Sequence, residues 1–201
     1  MYLYILVMAK LDGEDVKDLK EELASLSRGR IEVMKQAREV IKSSKTLIYS
    51  LHRGDEKAAA KYMVSIEGLR QKLDKTANSE KLRAYGMYGN AMQEYVEAAT
   101  YYFYVKEGSI PASDDLNVDA ETYLMGLSDL TGELMRKAVN DMVGDDFKSA
   151  QTIKDTIEEI YGLMLSLDFD GGEARRKSDQ VKWNLSKVEA LIFDAKIRDR
   201  I

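Results

Sequence analysis

The chain has 201 residues, 45% of them hydrophobic and 32% charged, with a formal net charge of −5, which suffices for one sizeable core. It contains no cysteine, so disulfides and thiolate chemistry are excluded and a reducing cytoplasm is the expected compartment. A single histidine, His52, excludes both a histidine pair for acid–base cleavage and a His-rich zinc site. Hydrolytic chemistry in such a chain must come from carboxylates, most naturally around a hard divalent cation.

In chain order, the opening "MYLYILVM" is too short to span a bilayer and has neither a basic flank nor a small-residue cleavage site. Residues 1–11 are read as an N-terminal extension. Apolar residues then recur at three- and four-residue spacing, with one proline in the whole chain, so the spacing predicts helices almost throughout. Asp12 or Asp15 caps a long first helix that runs to "LHRGD", where Gly54 and Asp55 stop and restart the chain. A second helix is predicted over about 55–75, "KTANSE" breaks it, and a third covers about 80–106. The loop "EGSIPASDDLN" follows at 107–117. A fourth helix starts near Val118 and ends at "VGDD", a fifth covers 146–167, and "DFDGGE" precedes a sixth from 173 onward. The expectation is an all-α, single-domain antiparallel bundle of six to seven helices over residues 1–201.

Charge is distributed unevenly along this bundle. Residues 28–83 carry 14 basic and 7 acidic side chains, residues 84–171 carry 5 and 17. An acidic middle beside a basic flank suits a metal site next to a polyanion-binding surface, although solvated helix faces produce the same imbalance. In the third helix Tyr88, Met92, Tyr95, Ala99 and Tyr102 make a core stripe, and Asn90, Glu94, Glu97 and Tyr101 a second strip on its flank. In the fourth, Tyr123, Leu127, Leu130, Leu134 and Ala138 form the core stripe, with Thr122, Gly126, Asp129 and Glu133 beside it. If the two strips face each other, four carboxylates converge, and like charges that close call for a cation, magnesium or manganese by the oxygen-only donor set. Acids on helix flanks also pair with lysines in solvent, and spacing alone leaves both readings open.

Of the basic residues, Arg38, Arg53, Lys81 and Arg83 are the candidate phosphate contacts, with Tyr85, Tyr88 and Tyr101 able to stack bases. His52 reads as a cap or surface residue, and Trp183 as a core or subunit-contact anchor. A carboxylate-bridged di-iron enzyme would need Glu-x-x-His pairs that one histidine cannot supply.

Four stretches, "REVIKSSKTLIYSLHRGD" (38–55), "QEYVEA" (93–98), "YLMGLSDLTGELMRKAVN" (123–140) and "RRKSDQVKWNLSKVEALIFDAKIR" (175–198), together resemble the translin family. Retention of both "QEYVEA" and "DLTGEL" is similar to the catalytic branch of the family, typified by translin-associated factor X, whereas "RRKSDQVKWNL" is nearer translin itself; the mixture suggests a single-gene prokaryotic relative. The resemblance implies that Glu94, Glu97 and Asp129 bind magnesium, with Glu133 at the fourth position. It further implies metal-dependent cleavage of single-stranded RNA, with single-stranded DNA as a second candidate. It also implies self-association into a hollow homo-octamer in the cytoplasm, with no membrane attachment. The alternative within the family is a non-catalytic single-stranded nucleic-acid-binding protein.

Overall fold

A computed structural model describes residues 13–167 and 172–197. Asp12, the opening apolar stretch and most of "DFDGGE" lie outside the described residues. Among those described there are eight helices and no strand. These are α1 (Gly13–His52), α2 (Glu56–Thr76), α3 (Glu80–Arg83), α4 (Gly86–Glu107), α5 (Ser113–Leu116), α6 (Ala120–Val143), α7 (Phe147–Leu165) and α8 (Glu173–Ile197). The predicted third helix is two helices: after Arg83 the chain turns at Ala84 and Tyr85, and Tyr85 is extended where α4 begins. The loop at 107–117 holds the single turn α5.

The helix ends follow local chemistry. Asp55, Asp119 and Asp146 cap α2, α6 and α7, their carboxylates accepting from the backbone N–H groups of Ala58, Thr122 and Ser149. Gly54 takes φ +70 in the turn between α1 and α2, a left-handed conformation that glycine adopts without a Cβ clash.

α1 packs on α2 and α4; α4 packs on α6; α6 packs on α7 and α8. Two three-helix groups therefore meet at the α4–α6 pair. The predicted stripes form the core there: Tyr95, Ala99, Leu130 and Leu134 are 0–1% exposed, and each such large apolar side chain contributes roughly 1.5–3 kcal/mol by leaving water. Gly126 lets the two backbones approach closely, since a Cβ at that position would lie 2.5 Å from Val96 Cβ.

A buried charge network pins the other side of α4 to α2. Arg70, 6% exposed, donates to Glu67 at 2.7 and 3.3 Å and to Asp74 at 2.7 Å, and lies over the Tyr95 ring. Tyr95 and Tyr88 of α4 donate to Glu67 and Asp74, each at 2.7 Å. Burial raises the pKa of Glu67, but hydrogen bonds from Arg70, Tyr95 and Gln71 outweigh it and bring it down to about 2.

Candidate functional site

The network fixes α4 on one face and leaves Glu94 and Glu97 on the flank towards α6. There they join Asp129 and Glu133 in lining one cleft of about 460 Å³, closed on its third side by Lys45, Ile48 and Tyr49 of α1. The convergence expected from helical spacing is thus present, with α1 as the additional wall. Crowding is felt most by Glu97, which is half-buried. Burial and the neighbouring Asp129, Glu94 and Glu133 carboxylates push its pKa up to about 8, against an opposing pull from Lys177. Burial and the neighbouring carboxylates thus both favour the protonated form of Glu97.

The other three acids each have a basic partner. Lys45 stands 3.0 Å from Glu94, and this contact holds its ammonium pKa above the ordinary range. Lys177, at the start of α8, donates to Asp129. His52 meets Glu133, and Arg136 lies 3.8 Å from the same carboxylate oxygen. With these partners in place, among the described residues no three His, Asp or Glu side chains stand together as a ready-made metal-ligand group. The donors nonetheless fit a hard cation in kind: four carboxylates lining one cleft.

Beside the acid cleft runs a groove along α1 lined by Arg38, Ile41, Lys42, Lys45, Thr46 and Tyr49, so Lys45 belongs to both. Arg53, one turn beyond Tyr49, donates to its hydroxyl at 3.1 Å and lies over its ring. Arg38 and Arg53 therefore share this face. Lys81 and Arg83 do not: Lys81 pairs with Glu22, and Leu82 packs on Gly29. That point on α1 is 16 residues, or roughly 24 Å of helix, before Lys45. Arg83 donates to the Ala77 carbonyl and lines a separate acidic pocket with Asp74, Asp114 and Asp119.

Several readings of the aromatic and basic residues change. Tyr101 is 1% exposed and Tyr88 is half-buried with its hydroxyl on Asp74, whereas Tyr49 in the basic groove is 54% exposed, with Arg53 against one face of its ring. His52 is no surface cap, since its side chain is 5% exposed beneath Glu133. Trp183 is 55% exposed and so is not a core residue of the chain, while Val188, Ile192 and Ala195 of its helix are buried within the chain. Lys45 and Tyr49, not among the sequence candidates, and His52 share one face of α1. Their signal was present: positions 38, 42, 45, 49 and 52 recur at three- and four-residue spacing on one face of α1.

Comparison with known proteins agrees with this fold. A family model described as the translin family matches residues 28–199. An uncharacterized protein of Methanocaldococcus jannaschii is 26% identical over 208 residues, covering 100% of this chain and 91% of that protein. Translin-associated protein X of Pongo abelii is 24% identical over 224 residues, covering 90% of this chain and 77% of that protein. Among solved structures, apo-NeC3PO superposes with a TM-score of 0.82 at 31% identity, covering 92% of this chain and 98% of the other. AfC3PO bound to duplex RNA shares the fold, with a TM-score of 0.80 at 24% identity over 92% and 97% of the two chains. With its model matched over most of the sequence, and with the helical bundle of these relatives, the chain belongs to the translin family.

Proposed function

We propose that this protein binds RNA and cleaves it as a divalent-cation-dependent endoribonuclease. The observation that carries the reading is the single cleft in which Glu94, Glu97, Asp129 and Glu133 crowd together beside a basic, aromatic-bearing groove. The groove supplies Arg38, Lys42 and Lys45 for a phosphate backbone and the exposed Tyr49 ring for a base, contacts that bind without sequence preference. Lys45, shared by groove and cleft, directs a phosphodiester from one into the other. Glu94, Glu97, Asp129 and Glu133 would hold the cation, taking the place that Lys45 and Lys177 now occupy on Glu94 and Asp129. A magnesium or manganese ion held there would supply Lewis-acid stabilisation of the phosphoryl charge and of a water nucleophile. The expected products carry a 5′-phosphate and a 3′-hydroxyl. Single-stranded RNA is the preferred substrate in this reading, and the duplex RNA bound by AfC3PO makes a duplex the necessary comparison. The active form is a homo-octamer.

The test is cleavage of labelled single-stranded and duplex RNA with magnesium, with and without EDTA, by the wild type, Glu94→Gln and Asp129→Asn. Either substitution is expected to lower the rate by about 10³-fold or more while leaving RNA binding intact. Wild-type cleavage that persists in EDTA refutes the metal centre. A second reading, RNA binding without turnover, is favoured by the lysines that already neutralise Glu94 and Asp129. It predicts wild-type binding with no cleavage under any metal.

A further inference from the structure

The metal reading leaves the one histidine of the chain without a task, yet His52 is buried against Glu133, which lines the cleft. His52 ends α1 with its side chain 5% exposed. Behind it stands Tyr101 of α4, 1% exposed, whose hydroxyl lies 3.3 Å from Nδ1 and whose ring centroid is 5.1 Å from the imidazole. In front of it Nε2 meets Oε2 of Glu133.

The hydrogen-bond directions follow from elementary chemistry. A carboxylate oxygen only accepts, so the Nε2 that meets Glu133 donates to it, and the Tyr101 hydroxyl, able to donate or accept, lies against the other ring nitrogen. Arg136 addresses the same oxygen. Both neighbours therefore hold Oε2, and Oε1 is left for a ligand. Three elements contribute: α4 orients the ring, α1 carries it, and α6 receives it.

We propose that His52 is a positioning residue for Glu133. The Tyr101–His52 pair holds that carboxylate in one orientation, so that its second oxygen is already set for a divalent cation in the cleft. This rests on the metal-dependent reading above. His52 takes no part in proton transfer; it acts through Glu133, and outer-shell partners of metal ligands typically account for about 10–100-fold in affinity or rate.

The experiment measures Mn²⁺ binding to the RNA-free protein by isothermal titration, alongside steady-state RNA cleavage, for wild type, His52→Leu, His52→Gln and Tyr101→Phe. His52→Leu removes the donor and is expected to weaken Mn²⁺ binding about 10–100-fold. It should lower kcat with little change in KM for RNA. His52→Gln places an amide N–H near the Nε2 position and is expected to stay within about threefold of wild type, with Tyr101→Phe between the two. A His52→Leu protein that binds Mn²⁺ as tightly as wild type overturns the proposal. So does equal loss in the Leu and Gln variants, which would mark His52 as packing. A wild type that binds Mn²⁺ but cleaves no RNA refutes the nuclease reading, while the Mn²⁺ series still decides the role of His52. A wild type that binds no Mn²⁺ refutes both.

Discussion

Gly126→Ala tests whether the carboxylate cleft depends on the close approach of α4 and α6. The added methyl would meet Val96 Cβ and Cγ1 at 2.5 Å and the Gln93 carbonyl oxygen at 3.1 Å, where ordinary contact begins near 3.4 Å. Val96 is 0% exposed, and its Cβ cannot swing away by changing rotamer. The helices must part by roughly 1 Å, an overpacking that costs about 1–3 kcal/mol, towards the upper end because the clash is with Cβ. Alanine returns about 1 kcal/mol of helix propensity, leaving a net loss of about 2 kcal/mol. For a chain of this size that is a fall in Tm of roughly 4–8 °C. Because Asp129 rides on the displaced turn, a shift of that size should also lower RNA cleavage about 100-fold. Thermal unfolding at fixed protein concentration reads the first effect and single-turnover cleavage the second. Gly132→Ala is the control: it has the same propensity gain, and its Cβ would meet nothing nearer than Asn184 Nδ2 at 3.8 Å. Val96→Ala should rescue Gly126→Ala only partly, since the offending Cβ remains. A Gly126→Ala protein that melts with Gly132→Ala and cleaves like wild type would refute the reasoning.

Other expectations concern acid stability, RNA affinity and assembly. Glu67, with its pKa lowered from 4.5 to about 2, stabilises the fold above pH 4.5 and loses that contribution as pH falls through about 2. Because its side chain is 35% exposed, the contribution is about 1–2 kcal/mol after discounting for solvent screening. Tyr95→Phe should destabilise by about 1 kcal/mol at pH 7, with the gap narrowing below pH 4.5 in urea titrations; a pH-independent gap contradicts the network. RNA affinity should fall steeply with salt, and Arg38→Glu with Lys42→Glu should weaken it more than Lys81→Glu with Arg83→Glu, read by fluorescence anisotropy. Trp183, Phe193 and Ile197 on α8 and Val143 at the end of α6 are 55–83% exposed. Light scattering should show an assembly that Phe193→Glu with Val143→Glu reduces, and a stable wild-type monomer contradicts this expectation.

Much of this architecture was legible because its determinants are local. The 3.6-residue period of Leu127, Leu130, Leu134 and Ala138 specifies a buried face whatever lies opposite it, and all four are buried. The flanking strip of Asp129 and Glu133 follows from the same period. The break at Ala84 and Tyr85 is less legible, since it carries no proline and the glycines beside it, Gly86 and Gly89, lie inside α4. Tyr101 was placed on the acid strip by angle alone; the helical wheel does not show that α1 crosses there and buries it. His52, Lys45 and Lys177 were hidden for a related reason. Each meets an acid 48 or more residues away, and a pairing of that range is set by how helices dock, not by their own periodicity.

That range has a consequence for the order in which the molecule forms. The pairs α1–α2 and α6–α7 close over short turns, at small entropic cost. The contact of His52 with Glu133 closes 81 residues. Loop-closure entropy makes such a contact costly to form early, so local hairpins assemble first and α1 docks onto α4 and α6 afterwards. Until it does, Glu94 and Glu133 lack Lys45 and His52. In refolding experiments, helical signal should recover before any capacity of the cleft to bind a cation.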